Sequence, residues 1–256
     1  MNNINTMIDR AGEILDYLYN SDKPIGVSKI SNDLQMPKAT AFRILVTLEK
    51  WNIVEKQYNT DNYKLGKILI KYGAKVSSNL SLIGISKPII NALSERIGES
   101  VNLNIEYQGN SLNIYKSSND NFTLVSKLTP ISPLNCSSSG KVFLSAKSEE
   151  ELKKYFSSEN CSKRTMYSLT TYEGFTKELD SIKANGLAYD NEEYEYGLFC
   201  IAAPIYHEDG VIAAISVSGP KTRLEYKGLE MIEKELKLSC DMLSDLVQYL
   251  DTDSLL

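Results

Sequence analysis

The chain has one histidine, one tryptophan and four cysteines among its 256 residues. A lone histidine excludes a multi-histidine metal site. Its expected place in a surface hairpin turn, His207-Glu208-Asp209-Gly210, also argues against a histidine-based triad. The cysteines (Cys136, Cys161, Cys200, Cys240) are scattered with no CxxC pair, which excludes a disulfide or zinc framework and suits a reducing cytosol. No apolar run approaches the ~18 residues of a membrane span, and the polar start Met1-Asn2-Asn3-Ile4-Asn5 does not read as a secretory leader. There is no GxGxxG after a strand and no Walker-type phosphate loop. The expectation is a cytoplasmic protein without membrane contact, cofactor, metal or assembled catalytic group.

What is present is unevenly distributed. The net charge is −5, which taken whole argues against a nucleic-acid partner. Residues 1–80, however, carry 11 Lys+Arg against 8 Asp+Glu, and the remainder 17 against 25. A mildly basic head on an acidic body suggests DNA at one end only.

The head reads as three helices and a hairpin. Ile4, Ile8, Ala11, Leu15 and Leu18 recur at helical spacing, and Asn20-Ser21-Asp22-Lys23-Pro24 breaks the pattern. A short second helix follows Gly26 as N-cap and turns inward Val27, Ile30 and Leu34. Gln35-Met36 is a tight turn, with Pro37 expected as the first residue of a third helix. That helix buries Ala41, Ile44, Leu45 and Leu48 and presents Ala39, Thr40, Arg43 and Thr47 outward. Two short helices joined by a tight turn fit a helix-turn-helix, whose second helix enters the major groove. Ile53–Tyr58 and Tyr63–Leu65 then form a hairpin around Asn59-Thr60-Asp61-Asn62, a basic wing in which Lys56, Tyr58 and Lys64 can reach phosphates or the minor groove. Lys38 is assigned to a phosphate, and Thr40 and Arg43 to base edges or phosphates. A small helical subdomain with a solvated hairpin, Arg43 being a plain surface arginine, is the alternative. Phe42 reads as partly packed rather than as an intercalating wedge.

The body reads as α+β. One helix is expected over Leu65–Val76 and another after Pro88, ending at Gly98, so the domain boundary falls near residues 77–82. Val101–Tyr107 alternates apolar and polar residues, the pattern of a half-buried strand, and turns into Leu112–Tyr115, with Phe122–Val125 as a third strand. Helices are expected from Gly140 to Ala146, after the Ser148–Glu151 capping box and after Thr170–Glu173. Leu187–Asp190, Phe199–Tyr206 and Val211–Ser218 are strands, and a long helix through Leu229, Ile232, Leu236, Leu243 and Leu250 closes the domain. Hairpins with helices between and after them indicate an antiparallel sheet flanked by helices.

Several residues in this domain carry chemistry. Ser216 and Ser218 share one face of a strand, along with Ile212 and Ala214. Cys136-Ser137-Ser138-Ser139-Gly140 leads into a helix, whose N-terminus suits a carboxylate or phosphate. Asp190 ends a strand before Asn191-Glu192-Glu193, and Cys200 lies on the next. Each also has a plainer reading. Ser138 and Ser139 can cap the helix, and Ser216 and Ser218 can bond within the core. Cys200 can be a small buried hydrophobe, and the two glutamates can face solvent or pair with a cation.

Taken together these segments resemble the IclR family of bacterial transcription regulators over nearly the whole chain. The residues that carry the resemblance are Met36–Leu45 in the third helix, Tyr63-Lys64-Leu65-Gly66, Ser139-Gly140-Lys141, Gly186–Ile205 and Ala213–Pro220. It implies a winged helix-turn-helix DNA-binding domain over 1–78 and, over 79–250, a linker helix with a GAF-like effector-binding domain, then a tail over 251–256. It further implies a homodimer or tetramer on a roughly palindromic double-stranded operator. The DNA-binding residues would be Lys38, Ala39, Thr40, Arg43, Thr47, Lys56, Tyr58 and Lys64. A small organic-acid effector, a carboxylate, would bind at Ser138, Ser139, Asp190, Cys200, Ser216 and Ser218 against an apolar wall of Leu124, Leu128 and Leu134. Ala39 replaces a frequent Ser or Thr and Phe42 a frequent His or Tyr, which bears on the operator sequence. The paired Ser138 and Ser139 make the pocket more polar, as suits a hydroxylated sugar acid. A repressor is favoured. An enzyme acting on a small acid around Asp190 and Cys200, and a purely dimerising scaffold, are the competing readings.

Overall fold

A computed structural model describes residues 5–79, 81–117, 130–208 and 210–249. The chain divides into two compact units, 1–79 and 80–256.

In the first unit, α1 (Thr6–Tyr19) begins at Asn5, whose side chain accepts the backbone N–H of Met7 and so satisfies one of the open donors of the first turn. α2 (Val27–Asp33) follows Gly26, and α3 (Lys38–Lys50) follows Pro37. Pro37 thus stands at the cap position, one residue earlier than expected. The intervening turn places Gln35 at φ 50°, and Ser31 Oγ donates to Met36 O at 2.7 Å to hold it closed. Ile14, Leu18, Ile30, Ala41, Ile44, Leu45 and Leu48 form the core. A hairpin of β2 (Val54–Lys56) and β3 (Asn62–Leu65) covers this core with Val54 and Tyr63. A two-residue strand, β1 (Ile25–Gly26), pairs with β3 and was not expected from the sequence. Gly66 closes the wing because nothing larger fits: a Cβ there would stand 1.9 Å from the carbonyl oxygen of Asn52. α4 (Ile68–Asn79) completes the unit, starting three residues later than its apolar pattern suggests.

The second unit is built on a six-stranded antiparallel sheet, ordered β6-β5-β4-β9-β8-β7. Its strands are β4 (Ser100–Tyr107), β5 (Asn110–Lys116), β6 (Ile131–Pro133), β7 (Ala188–Asn191), β8 (Leu198–His207) and β9 (Gly210–Pro220). The expected strand Phe122–Val125 lies outside the described residues. α5 (Ser81–Ile97) and α10 (Leu229–Val247) cover one face, where Val101, Leu103, Ile201, Ile215 and Val217 meet Ile90, Leu93, Leu236 and Leu243. α6 (Ser138–Ser145), α7 (Glu149–Phe156) and α8 (Tyr172–Asn185) cover the other.

Three expectations are corrected here, and one element is new. α5 begins seven residues before Pro88, which sits inside the helix. Pro88 and Gly84, whose carbonyl loses its helical partner, are both exposed, so water can take the missing bond. β4 is not half-buried, because Val101, Asn102, Leu103 and Asn104 are all shielded by the helices on both faces. His207 is the last residue of β8 and is buried, not a surface turn residue. A short α9 (Lys221–Lys227) precedes α10 and went unforeseen. Its Arg223 and Lys227 both pair with the buried Glu99.

Candidate functional site

The outward face of α3 carries the residues expected to meet DNA. Lys38, Ala39, Arg43 and Thr47 are exposed and Thr40 is half-buried. Ala41, Ile44, Leu45 and Leu48 anchor the opposite side in the core, so the helix cannot roll. Thr47 is exposed and its hydroxyl donates to the carbonyl of Arg43 at 2.8 Å. On the wing, Tyr58 is 89% exposed, Lys56 pairs with Asp61 at 2.7 Å and Lys64 approaches Glu55 at 3.8 Å. Exposed pairs of this kind are weak, roughly 0–1 kcal/mol, and a phosphate can displace the carboxylate. Phe42 is 50% exposed on the same helix.

In the second unit, alternation along the strands produces two unlike sheet faces. The face toward α6 is made of small or polar residues in matched rows. Asp190 pairs with Cys200 and Cys200 with Ser218; Ala188 pairs with Ala202, Ala202 with Ser216 and Ser216 with Asn102. α6 is also seated tightly on the turn before it, since a Cβ on Gly140 would stand 2.3 Å from the Cα of Leu134. Where the rows turn polar, a cavity of about 40 Å³ remains between the sheet and the start of α6.

Six residues expected at an effector site, Ser138, Ser139, Asp190, Cys200, Ser216 and Ser218, all line this cavity. Leu134 does not. It is buried beneath α6 with Val142, Phe143 and Leu144, where it sets the helix's position rather than a wall. Leu124 and Leu128 lie outside the described residues. The cavity is also lined by Asn102, Asn104, Asn113, Ser137 and Tyr194, which sequence reasoning missed. The signal was there for two of them: Asn102 and Asn104 occupy the polar positions of β4's alternation, read as a solvent face because nothing local shows that a helix covers it.

The polar groups are already ordered into a network. Asn113 donates to Asn102 Oδ1 at 2.9 Å, Asn102 to Ser218 Oγ at 3.3 Å, and Asn104 to Ser216 Oγ at 3.1 Å. Ser137, not Ser138 or Ser139, caps α6: its hydroxyl accepts from Gly140 N and donates to Pro133 O. Ser138 is thereby released from capping, and Ser139 Oγ shares a 2.8 Å bond with Ser111 Oγ. Asp190 Oδ1 accepts the backbone N–H groups of Glu193 and Tyr194 at 2.8 and 3.1 Å. Burial nonetheless pushes the Asp190 carboxyl up to about 6, against these donors and the nearby Lys141. The Cys200 thiol lies against Asp190 and Ser218, and burial raises it well above the ordinary thiol range; Cys136 is pushed up to about 12 for the same reason. Both are therefore inert thiols at neutral pH.

Behind the cavity is a buried ion cluster. Lys141 is fully shielded and donates to Glu193 at 2.5 Å and Glu178 at 2.7 Å. Of the two readings of Glu193, pairing with a cation is the one realised, while Glu192 pairs with Lys221 at 3.0 Å. Burial outweighs the lysine's attraction and raises the Glu193 carboxyl to about 7. Its Oε2 is buried with no hydrogen-bond partner among the described residues. Thr165 and Ser168 donate to the Glu193 carbonyl, and the Arg164 guanidinium stacks over Tyr194 at 4.3 Å, so this turn is clamped from outside.

A helix-turn-helix with a β-wing, followed by an α+β unit around a buried polar cavity, has the build of a bacterial transcription regulator. Comparison with known proteins gives the family. The IclR helix-turn-helix domain matches residues 7–57, and the bacterial transcriptional regulator IclR C-terminal domain matches residues 74–245. The chain is 31% identical to the transcriptional repressor AllR of Escherichia coli (strain K12), over 85% of this chain and 81% of AllR. It is 29% identical to the transcriptional regulator KdgR of Dickeya chrysanthemi, over 90% of this chain and 76% of KdgR. The crystal structure of the Thermotoga maritima IclR superposes with a TM-score of 0.71 at 28% identity, covering 95% of this chain and 99% of that one. An IclR homologue from Microbacterium hydrocarbonoxydans, solved with 4-hydroxybenzoate, shares the fold at 21% identity and a TM-score of 0.77, covering 93% of this chain and 98% of that one.

The chain belongs to the IclR family. It is a DNA-binding transcription regulator and, like the family and these relatives, not an enzyme. No helix among the described residues is long and apolar enough to cross a membrane.

Proposed function

We propose that the chain is a cytoplasmic repressor that binds a roughly palindromic operator as a homodimer or tetramer and is controlled by a small carboxylate in the cavity of its second unit. Lys38, Ala39, Thr40, Arg43 and Thr47 of α3 would meet the major groove, and Lys56, Tyr58 and Lys64 of the wing would meet the backbone. The acid would lie between Ser138, Ser139, Asp190, Cys200, Ser216 and Ser218.

The observation that carries the reading is the convergence of hydroxyls, amides and the start of α6 on one cavity, which a purely structural core would fill with apolar side chains. The first turn of α6 offers backbone N–H groups to a carboxylate, and the serines and asparagines offer bonds to its hydroxyl or oxo group. At about 40 Å³ the described part of the cavity has room for roughly three waters, so short acids are the first candidates. Repression is favoured because a relative such as AllR is a repressor. The test is a thermal-shift screen of small acids on the full chain. A stabilising acid whose effect disappears in Ser216→Ala/Ser218→Ala supports the reading, and one that acts equally on the double variant contradicts it.

A further inference from the structure

We propose that the cavity takes up its carboxylate together with one proton, held on the Asp190 and Glu193 carboxyls, so that occupancy depends on pH as well as on ligand. The inference rests on the reading of the cavity as a carboxylate site and adds a rule for its regulation.

It follows from the charges that surround the cavity. Among the described residues no lysine, arginine or histidine lines it, while Asp190 on β7 does. The nearest interior cation is Lys141 on α6, and it is already divided between Glu193 and Glu178 of α8. Cys200 on β8 and Cys136 ahead of α6 face Asp190 as neutral thiols. Arg164 lies 4.3 Å over the ring of Tyr194, which lines the cavity, and its charge also acts on Cys136. Two buried carboxyls, Asp190 and Glu193, and the part-exposed Glu178 therefore lie around one buried ammonium before any ligand arrives, and only Glu193 and Glu178 are in contact with it. A carboxylate entering beside Asp190 adds a further negative charge where water cannot screen it, and the donors at the start of α6 offset only part of that.

A proton resolves the conflict, and the geometry provides a place for it. Glu193 Oε2 is buried with no hydrogen-bond partner among the described residues, so a proton there displaces no donor, while the Lys141 bond to Oε1 can persist as a weaker contact to the neutral acid. Asp190 uses only Oδ1 for its two backbone donors. With the Cys200 thiol also against the carboxyl, a proton on Asp190 turns the group from acceptor into donor beside the cavity it lines. Both groups are already displaced upward, to about 6 and about 7, so a neighbouring anion moves them through neutrality. The ligand is thus bound as an ion plus a proton from solvent, and the net charge of the cluster is unchanged.

The test uses the full chain with pyruvate, lactate and glycolate, which are ionised throughout the range studied. Calorimetry in two buffers of different ionisation enthalpy, from about pH 6 to about pH 9, counts the protons. The expected result is uptake approaching one per site near pH 8, with affinity falling about tenfold per pH unit above neutrality. Asp190→Asn and Glu193→Gln, made separately so that one folding failure does not end the test, fix the protonated shape. Each should lower the uptake and flatten the pH dependence. Binding without proton uptake, or uptake unchanged in both variants, overturns the coupling and leaves the cavity reading intact. No response to any of the three acids at about pH 5.5 overturns the carboxylate reading itself, and the coupling with it.

Discussion

Lys141 and Glu193 meet at 2.5 Å in the interior of the second unit, the lysine side chain fully shielded and the glutamate 6% exposed. The pair ties the start of α6 to the turn after β7, and these two segments carry Ser138, Ser139 and Asp190 on opposite sides of the cavity. A buried pair adds little net stability over an apolar replacement, but losing one partner is costly. Its contribution is to fix the spacing between the cavity's two polar walls.

Lys141→Met should therefore destabilise the protein by about 3–5 kcal/mol, because it leaves Glu193 buried and uncompensated. The loss should be smaller at pH 5.5 than at pH 8, since the abandoned carboxyl can take up a proton at the lower pH. Urea denaturation at the two values measures both effects.

Asp190 gives a pH signature in the free protein. Its folded carboxyl is raised from 3.8 to about 6, so the stability it contributes is fully present below about pH 3.8 and is lost as pH rises through about 6. A shift of this size corresponds to roughly 3 kcal/mol at most. Exposed carboxylates such as Asp61 and Glu149 are shifted down and act in the opposite sense, so the informative quantity is a difference. Between pH 4 and pH 8 wild type should lose about 1–3 kcal/mol relative to Asp190→Asn.

Gly140→Ala tests the close seat of α6. The added Cβ would collide with the backbone of Leu134 at 2.3 and 2.5 Å, so the start of the helix must move. A destabilisation of about 1–3 kcal/mol is expected, together with weaker binding of any cavity ligand. Gly174→Ala, whose nearest neighbour is the Thr171 hydroxyl at 3.0 Å, is the milder control.

For the head, Lys38→Ala with Arg43→Ala should weaken binding to the promoter DNA by about tenfold or more. Lys56→Ala or Lys64→Ala should instead lower the slope of log affinity against log salt by about one. Fluorescence anisotropy at several salt concentrations separates the two outcomes.

Most of the architecture was legible because its signals are local. The period of α3, the hairpin residues around Asp61 and the strand-like runs of β7, β8 and β9 each lie within a dozen residues. The cavity was legible only in part. Ser216, Ser218, Asp190 and Cys200 stood out as polar or reactive groups on apolar strands, whereas Asn102 and Asn104 looked like an ordinary wet face until α6 was seen to cover them. Lys141 gave no hint of burial, because a lysine three residues into a helix is usually solvated and its carboxylates lie 37 and 52 residues away. Ser137 took the capping role that Ser138 and Ser139 were equally able to fill, a choice set by the Pro133 carbonyl beside it. Pairings of this range are decided by the fold and not by neighbouring residues.

The central claim is that the cavity controls the grip on DNA. The direct measurement is anisotropy of a labelled duplex from the region upstream of the chain's own gene, titrated with the full chain with and without the acid that the thermal-shift screen selects. A change in DNA affinity of about fivefold or more is expected for wild type, and none for Ser216→Ala/Ser218→Ala. Equal affinity with and without saturating acid, or the same change in the double variant, would contradict it.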